Sequence, residues 1–107
     1  MCGICGFTGA LPDARSVVGR MCKVIAHRGP DGEGIYVREG IALGHRRLAL
    51  LDVEGGAQPM LRDGGTYAIV FNGEIYNFQE LRDELELEGW TFITRSDTEV
   101  LLVGYLA

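Results

Sequence analysis

The sequence is poor in cysteine, in positive charge and in long apolar runs, and each shortage excludes something. Three cysteines in 107 residues do not make a disulfide scaffold. With no basic start followed by an apolar stretch, as a secretory leader has, they point to a reducing cytoplasm. Fifteen acidic residues against ten Lys and Arg leave a formal charge of −5, which argues against general binding to nucleic acid or to an anionic membrane. No stretch approaches the roughly 18 apolar residues of a membrane span. Internal repeats, low-complexity tracts and internal domain boundaries are missing too. Cys2-Gly-Ile-Cys5 spells a C-x-x-C, but it opens the chain instead of following a strand at a helix start, as a redox pair would. Only Cys22, His27 and His45 remain as further Cys or His ligands for zinc, and they are widely scattered. In an extended chain Cys2 and Cys5 also point to opposite faces.

What is abundant is glycine, 16 residues, falling in loops and beside the candidate chemistry without any period. An apolar share of 47% is enough to bury the core of one small domain. Cys2 to Thr8 reads as a strand. Asp13 opens a helix to about Ala26, with Val17, Val18, Met21, Cys22 and Ile25 on one face, and Cys22 reads as a core residue there. His27-Arg-Gly-Pro-Asp-Gly32 is a dense turn signal. Glu33 to Arg38 and Ile41 to Gly44 form a hairpin through Glu39-Gly40, and His45 to Asp52 is a further extended segment. Val53 to Gly65 reads as loop, and Thr66 to Phe71 is the clearest strand. Asn77-x-x-Glu80 resembles a capping box, opening a helix to about Glu88 that Gly89 stops. Trp90 to Thr94 follows as a short strand. Ser96-Asp-Thr-Glu99 is a second capping box, and its helix runs through Val100, Leu101 and Tyr105 to Ala107 with no C-cap, as in a fragment.

The chemistry starts at Cys2. Its side chain is small enough for an aminopeptidase to remove Met1, which would put a thiol and a free α-amine on one Cα. With reference pKa values of about 8.5 and about 7.7–8.0, the amine can accept the thiol proton near neutrality, so one residue supplies nucleophile and base. An attacking thiolate needs donors for the developing oxyanion. Asn72 offers a side-chain N–H and Gly73 a backbone N–H with no Cβ in the way. An amino-acid substrate needs a cation for its carboxylate, which the Arg47 fork can be, and an anion for its ammonium, which Asp97 can be. Taken singly each has a structural explanation: a turn, a solvated edge, a favourable charge at a helix start. His27 and His45 read as loop or turn residues, with no carboxylate neighbour in sequence to orient either as a base.

Six words of the sequence change the odds together: Met-Cys-Gly-Ile-Cys-Gly at the start, Ala-His-Arg-Gly-Pro-Asp-Gly-Glu-Gly at 26–34, Leu-Gly-His-Arg-Arg-Leu at 43–48, Gly-Ala-Gln-Pro-Met at 56–60, Phe-Asn-Gly-Glu-Ile-Tyr-Asn at 71–77 and Ser-Asp-Thr-Glu at 96–99. In this order they resemble the N-terminal glutaminase domain of glutamine-hydrolysing asparagine synthase, a class II glutamine amidotransferase of the N-terminal-nucleophile hydrolase fold. The resemblance implies an α+β fold, an αββα sandwich of antiparallel sheets flanked by helices. Residues 1–107 would be one partial glutaminase domain. It implies Cys2 as nucleophile with its own amine as proton carrier, Asn72 and Gly73 as oxyanion hole, Arg47 on the α-carboxylate of glutamine, and Glu74 with Asp97 on its α-ammonium. A glutamyl thioester on Cys2 would then be hydrolysed to glutamate, and the ammonia passed on for asparagine synthesis.

The family's synthetase domain, with its ATP, magnesium and Ser-Gly-Gly-x-Asp-Ser loop, has no counterpart in this chain, which also lacks a Gly-x-x-x-x-Gly-Lys-Ser/Thr loop. No cofactor or metal is expected within it. Two other readings stay open: an amidotransferase with a different ammonia acceptor, and a truncated, non-catalytic module that binds glutamine or forms a homo-oligomer through unfinished sheet edges.

Overall fold

A computed structural model of the chain describes residues 2–48 and 56–107. Strand β1 (Gly3–Thr8) leads into helix α1 (Ala14–Val24), which a single 3-10 turn (Ala26–Arg28) extends. Strands β2 (Gly32–Arg38) and β3 (Ile41–Arg47) follow as a hairpin across Glu39-Gly40, with Gly40 at φ +83°. Short strands β4 (Met60–Arg62) and β5 (Tyr67–Ile69) precede helices α2 (Phe78–Leu87) and α3 (Asp97–Leu106).

The strands make two antiparallel sheets, one of order β1-β3-β2 and one pairing β4 with β5. This is a mixed fold of antiparallel sheets and helices, the architecture expected at that level. Alternation along the strands decides which residues share a face. Cys5, Ala42 and Gly44 face α1, where Val18 and Cys22 are fully buried, as the helical spacing predicts. Gly44 is small for a reason: a Cβ there would lie 2.5 Å from Cys22 Sγ and 2.7 Å from Cys5 Sγ. The opposite face carries Ile41, Leu43, His45 and Arg47 of β3 with Gly32, Gly34 and Tyr36 of β2. A second core lies between α2 and α3, where Leu85, Val100 and Val103 are covered by Phe78, Leu81, Trp90 and Phe92.

Several expectations are corrected. β3 is one strand through His45 to Arg47, not a short strand followed by a separate extended segment. The ladder with β1 and β2 on either side overrides the break suggested by Gly44. Residues 49–52 of that segment, and 53–55 of the expected loop, lie outside the described residues. The loop contains β4, which pairs Met60 with Ile69, and β5 is only three residues long because β4 offers no more partners. Asn77 is the N-cap of α2 without a side-chain capping bond. Trp90 to Thr94 is irregular, not a strand: the N–H groups of Ile93 and Thr94 donate to the Glu99 carboxylate at 2.8 and 2.6 Å, so no partner strand is needed. Glu99 therefore does not close a capping box with Ser96. Ser96 does cap α3, its Oγ accepting the Thr98 N–H at 3.0 Å.

Candidate active site

Cys2 stands one residue before β1, and Gly3 is paired with Arg46. Continuing that ladder by one residue sets Cys2 beside Arg47, both on the face away from α1. The Leu48 N–H donates to Cys2 Sγ at 3.3 Å, which fixes the thiol at the end of β3. Arg28 Nε donates to the Cys2 carbonyl at 3.2 Å. The turn that carries Arg28 wraps around the same strand end. The Asp31 N–H donates to the Arg47 carbonyl at 3.0 Å, Arg46 Nε donates to the Gly29 carbonyl at 2.9 Å, and a Cβ on Gly29 would overlap the Arg46 backbone. Close backbone approach, not a left-handed φ, is what requires glycine there.

The other candidates come from the far side of β5. Asn72 is half-buried, and Gly73 and Glu74 are exposed, in the turn that leads to α2. Asp97, first residue of α3, accepts the Ile75 N–H on Oδ2 at 3.0 Å, so the acidic side chain is tied to the turn bearing Glu74. Among the described residues no hydrogen bond engages the Asn72 carboxamide or the Gly73 N–H. The structure thus brings the predicted residues together as two separate groups: Cys2 with Arg47, and Asn72-Gly73-Glu74 with Asp97.

Two residues to which the sequence reading gave no role in the site lie between them. Gln58, in a cis peptide with Pro59, accepts the Phe71 N–H on Oε1 at 2.6 Å and donates from Nε2 to Thr98 Oγ1 at 3.3 Å. His45 is 1% exposed, and its Nε2 has no hydrogen-bond partner among the described residues. Burial pulls its imidazole below the ordinary value; hydrogen bonding to the Phe71 backbone opposes this, and the Arg47 charge adds to the lowering. His45 is therefore a buried strand residue, not the loop or turn residue expected. Its i, i+2 relation to Arg47 within one extended segment was the signal that the two share a face. Gln58 had only a weak one, a polar residue between Ala57 and Pro59. Both line a cavity of about 430 Å³ with Asp31, Gly32, Gly34 and Arg47. A larger apolar groove, about 560 Å³, lies elsewhere, between the β2–β3 hairpin, β5 and α3.

The C-x-x-C resolves as the alternation predicts. Cys2 meets Leu48, while Cys5 Sγ lies 3.6 Å from Cys22 Sγ beneath α1. Burial, with the Cys5 contact next, pushes the Cys22 thiol up to about 12. The thiolate is the reactive and metal-binding form, so Cys22 is inert near neutrality.

Comparison with known proteins identifies the family. The glutamine amidotransferase domain family matches residues 1–107. Asparagine synthetase [glutamine-hydrolyzing] 1 of Bacillus subtilis is 48% identical over 110 residues, covering 98% of this chain and 17% of the relative. Asparagine synthetase [glutamine-hydrolyzing] 3 of the same organism is 43% identical, covering 99% of this chain and 18% of its own length. Asparagine synthetase B [glutamine-hydrolyzing] of Escherichia coli is 41% identical, with 98% and 19% covered. The chain thus spans less than a fifth of the length of these three relatives. By a match that runs from its first residue to its last, it belongs to the glutamine amidotransferase domain family.

Proposed function

We propose that this chain hydrolyses the side-chain amide of glutamine, with Cys2 as nucleophile. The observation that supports the reading is the β1–β3 register: continued by one residue it puts Cys2 opposite Arg47 on the sheet face away from α1, with the Leu48 N–H on the Cys2 thiol. Arg47 holds the α-carboxylate through a bidentate fork, and Asp97 with Glu74 holds the α-ammonium. Once Met1 is removed, the Cys2 α-amine takes the thiol proton and the thiolate attacks the amide carbon. The oxyanion is received by the Asn72 carboxamide N–H and the Gly73 N–H, both uncommitted among the described residues. The C–N bond breaks as the amine returns its proton to the leaving nitrogen, giving ammonia and a glutamyl thioester. Water cleaves the thioester to glutamate and frees the thiol. The ammonia serves an ATP-dependent synthetase domain that makes asparagine, as the names of the relatives suggest.

The test is glutamine hydrolysis with intact-mass analysis after treatment with a glutamine-mimicking diazoketone. Cys2→Ala is expected to abolish both turnover and the adduct. Arg47→Lys, which loses the fork, is expected to raise KM about tenfold, near 1.4 kcal/mol, with kcat little changed. Turnover retained in Cys2→Ala would refute the reading.

A further inference from the structure

Gln58 joins parts of the molecule that share no strand. Its carbonyl oxygen is seated against Gly34 of β2, where any side chain would overlap it. Its amide reaches Phe71, the residue before Asn72, and Thr98, the residue after Asp97. The two ends differ in stiffness. Thr98 is 3% exposed in the first turn of α3, its N–H is capped by Ser96, and the helix continues into the core through Val100 and Val103. Phe71 lies beyond the end of β5 in irregular chain, and its N–H donates to the Gln58 side chain. A side chain with one end on a packed helix and the other on an irregular turn acts as a strut.

We infer that Gln58 is a positioning residue that holds the Asn72-Gly73 turn in place over the sheet face bearing Cys2. The inference rests on the glutaminase reading above. Gln58 acts through Phe71 and touches no reacting atom. Oxyanion donors stabilise a transition state only when aimed at the place where charge develops, so a displaced turn costs rate. Arg47 stands in β3 and Asp97 at the start of α3, both outside the turn, so the part of substrate binding that they supply is spared and only that of Glu74 moves with it. The chemistry of the amide is specific. Methionine keeps its length and offers no hydrogen bond. Glutamate keeps the acceptor for the Phe71 N–H, and the Thr98 hydroxyl can turn to donate to it.

The experiment compares wild type, Gln58→Met, Gln58→Glu and Thr98→Val in glutamine hydrolysis and in amide hydrogen exchange read by NMR. Gln58→Met is expected to lower kcat about 100-fold with KM within about threefold. Gln58→Glu is expected to recover most of kcat. In Gln58→Met the Phe71 amide should exchange at least about tenfold faster while Val100 and Val103 keep their protection. Normal kcat in Gln58→Met, or KM rising in step with the fall in kcat, overturns the inference. So does loss of protection at Val100 and Val103 together with Phe71 in both Gln58→Met and Thr98→Val, because that marks a merely structural role. If Gln58→Met does not fold, Thr98→Val decides, with an expected loss of about tenfold in kcat and the same local exchange pattern. Failure of the glutaminase reading looks different: wild type then shows no Cys2-dependent hydrolysis. In that case faster exchange confined to Phe71 still supports the strut, and unchanged exchange overturns it.

Discussion

His45 puts an imidazole into the layer between β3 and the Gln58 segment, 1% exposed and with Nε2 unsatisfied. Protonating it there would strand a charge in a site that already faces Arg47, which is why its affinity for a proton is lowered. The unfolded chain binds that proton near pH 6.5; the folded chain binds it only at lower pH. Between those values the unfolded state holds more protons, so stability rises with pH there. The contribution of His45 is complete above pH 6.5 and is lost as pH falls from there through the folded value. Urea midpoints at pH 7.5 and 5.5 should fall more steeply for wild type than for His45→Gln, which cannot titrate. Equal slopes would mean that the burial of this ring is not felt. The same scale explains which residues were legible before the fold was known. Cys2, Arg47 and Asp97 are the types that the proposed chemistry needs, and only a few side chains could supply it, so their types announce them. Gln58 and His45 meet their surroundings through contacts between positions far apart in sequence, which leave at most a weak local mark.

Among the elements, the segment before α3 shows how a side chain can replace a strand partner. The Glu99 carboxylate, 4% exposed, accepts from the Ile93 and Thr94 N–H groups and from the Thr94 hydroxyl, with Arg62 at 3.8 Å. Thr94 in turn accepts the Ser96 N–H at 3.1 Å, a position that a capping box would have given to Glu99. Glu99→Ala would strand those donors and should cost about 2–3 kcal/mol, read as a lower urea midpoint with an unchanged m-value. A loss under about 0.5 kcal/mol would show that water replaces the carboxylate. Ser-Asp-Thr-Glu did announce the helix start, since Ser96 caps it as such a word predicts. What it could not show is where the glutamate turns, because that depends on whether a backbone donor outside the helix is unpaired. The α1 face was legible for the opposite reason: Val18 and Cys22 repeat at helical spacing within one element. β4 and the short β5 were not, since a three-residue strand exists only through its partner.

At the scale of the molecule the two cores leave an apolar groove open between them, lined by Tyr36, Ile41, Leu43, Tyr67, Leu101 and Tyr105. Leu101, Tyr67 and Tyr105 are 37, 36 and 78% exposed, and a concave apolar surface of this kind takes up small aromatic dyes. Anilinonaphthalene sulfonate should fluoresce with the folded chain, and Leu101→Lys should remove most of that signal without lowering stability. Unchanged fluorescence in Leu101→Lys would place the dye elsewhere. None of the described helices is long and apolar enough to cross a membrane.

The β1–β3 ladder has a consequence in time. Arg38 and Ile41 meet across a two-residue turn, whereas Gly3 must find Arg46 after α1 and β2 have been traversed. The entropy of closing a loop grows with its length, so the hairpin can form early and β1 docks onto an existing edge. If unfolding reverses that order, β1 leaves before the hairpin opens. Its departure carries Cys2 away from Leu48 and Arg47 while the hairpin and the α2–α3 core still stand. On the proposed reading, the placement of the nucleophile is then lost in a partial opening that leaves most of the molecule native.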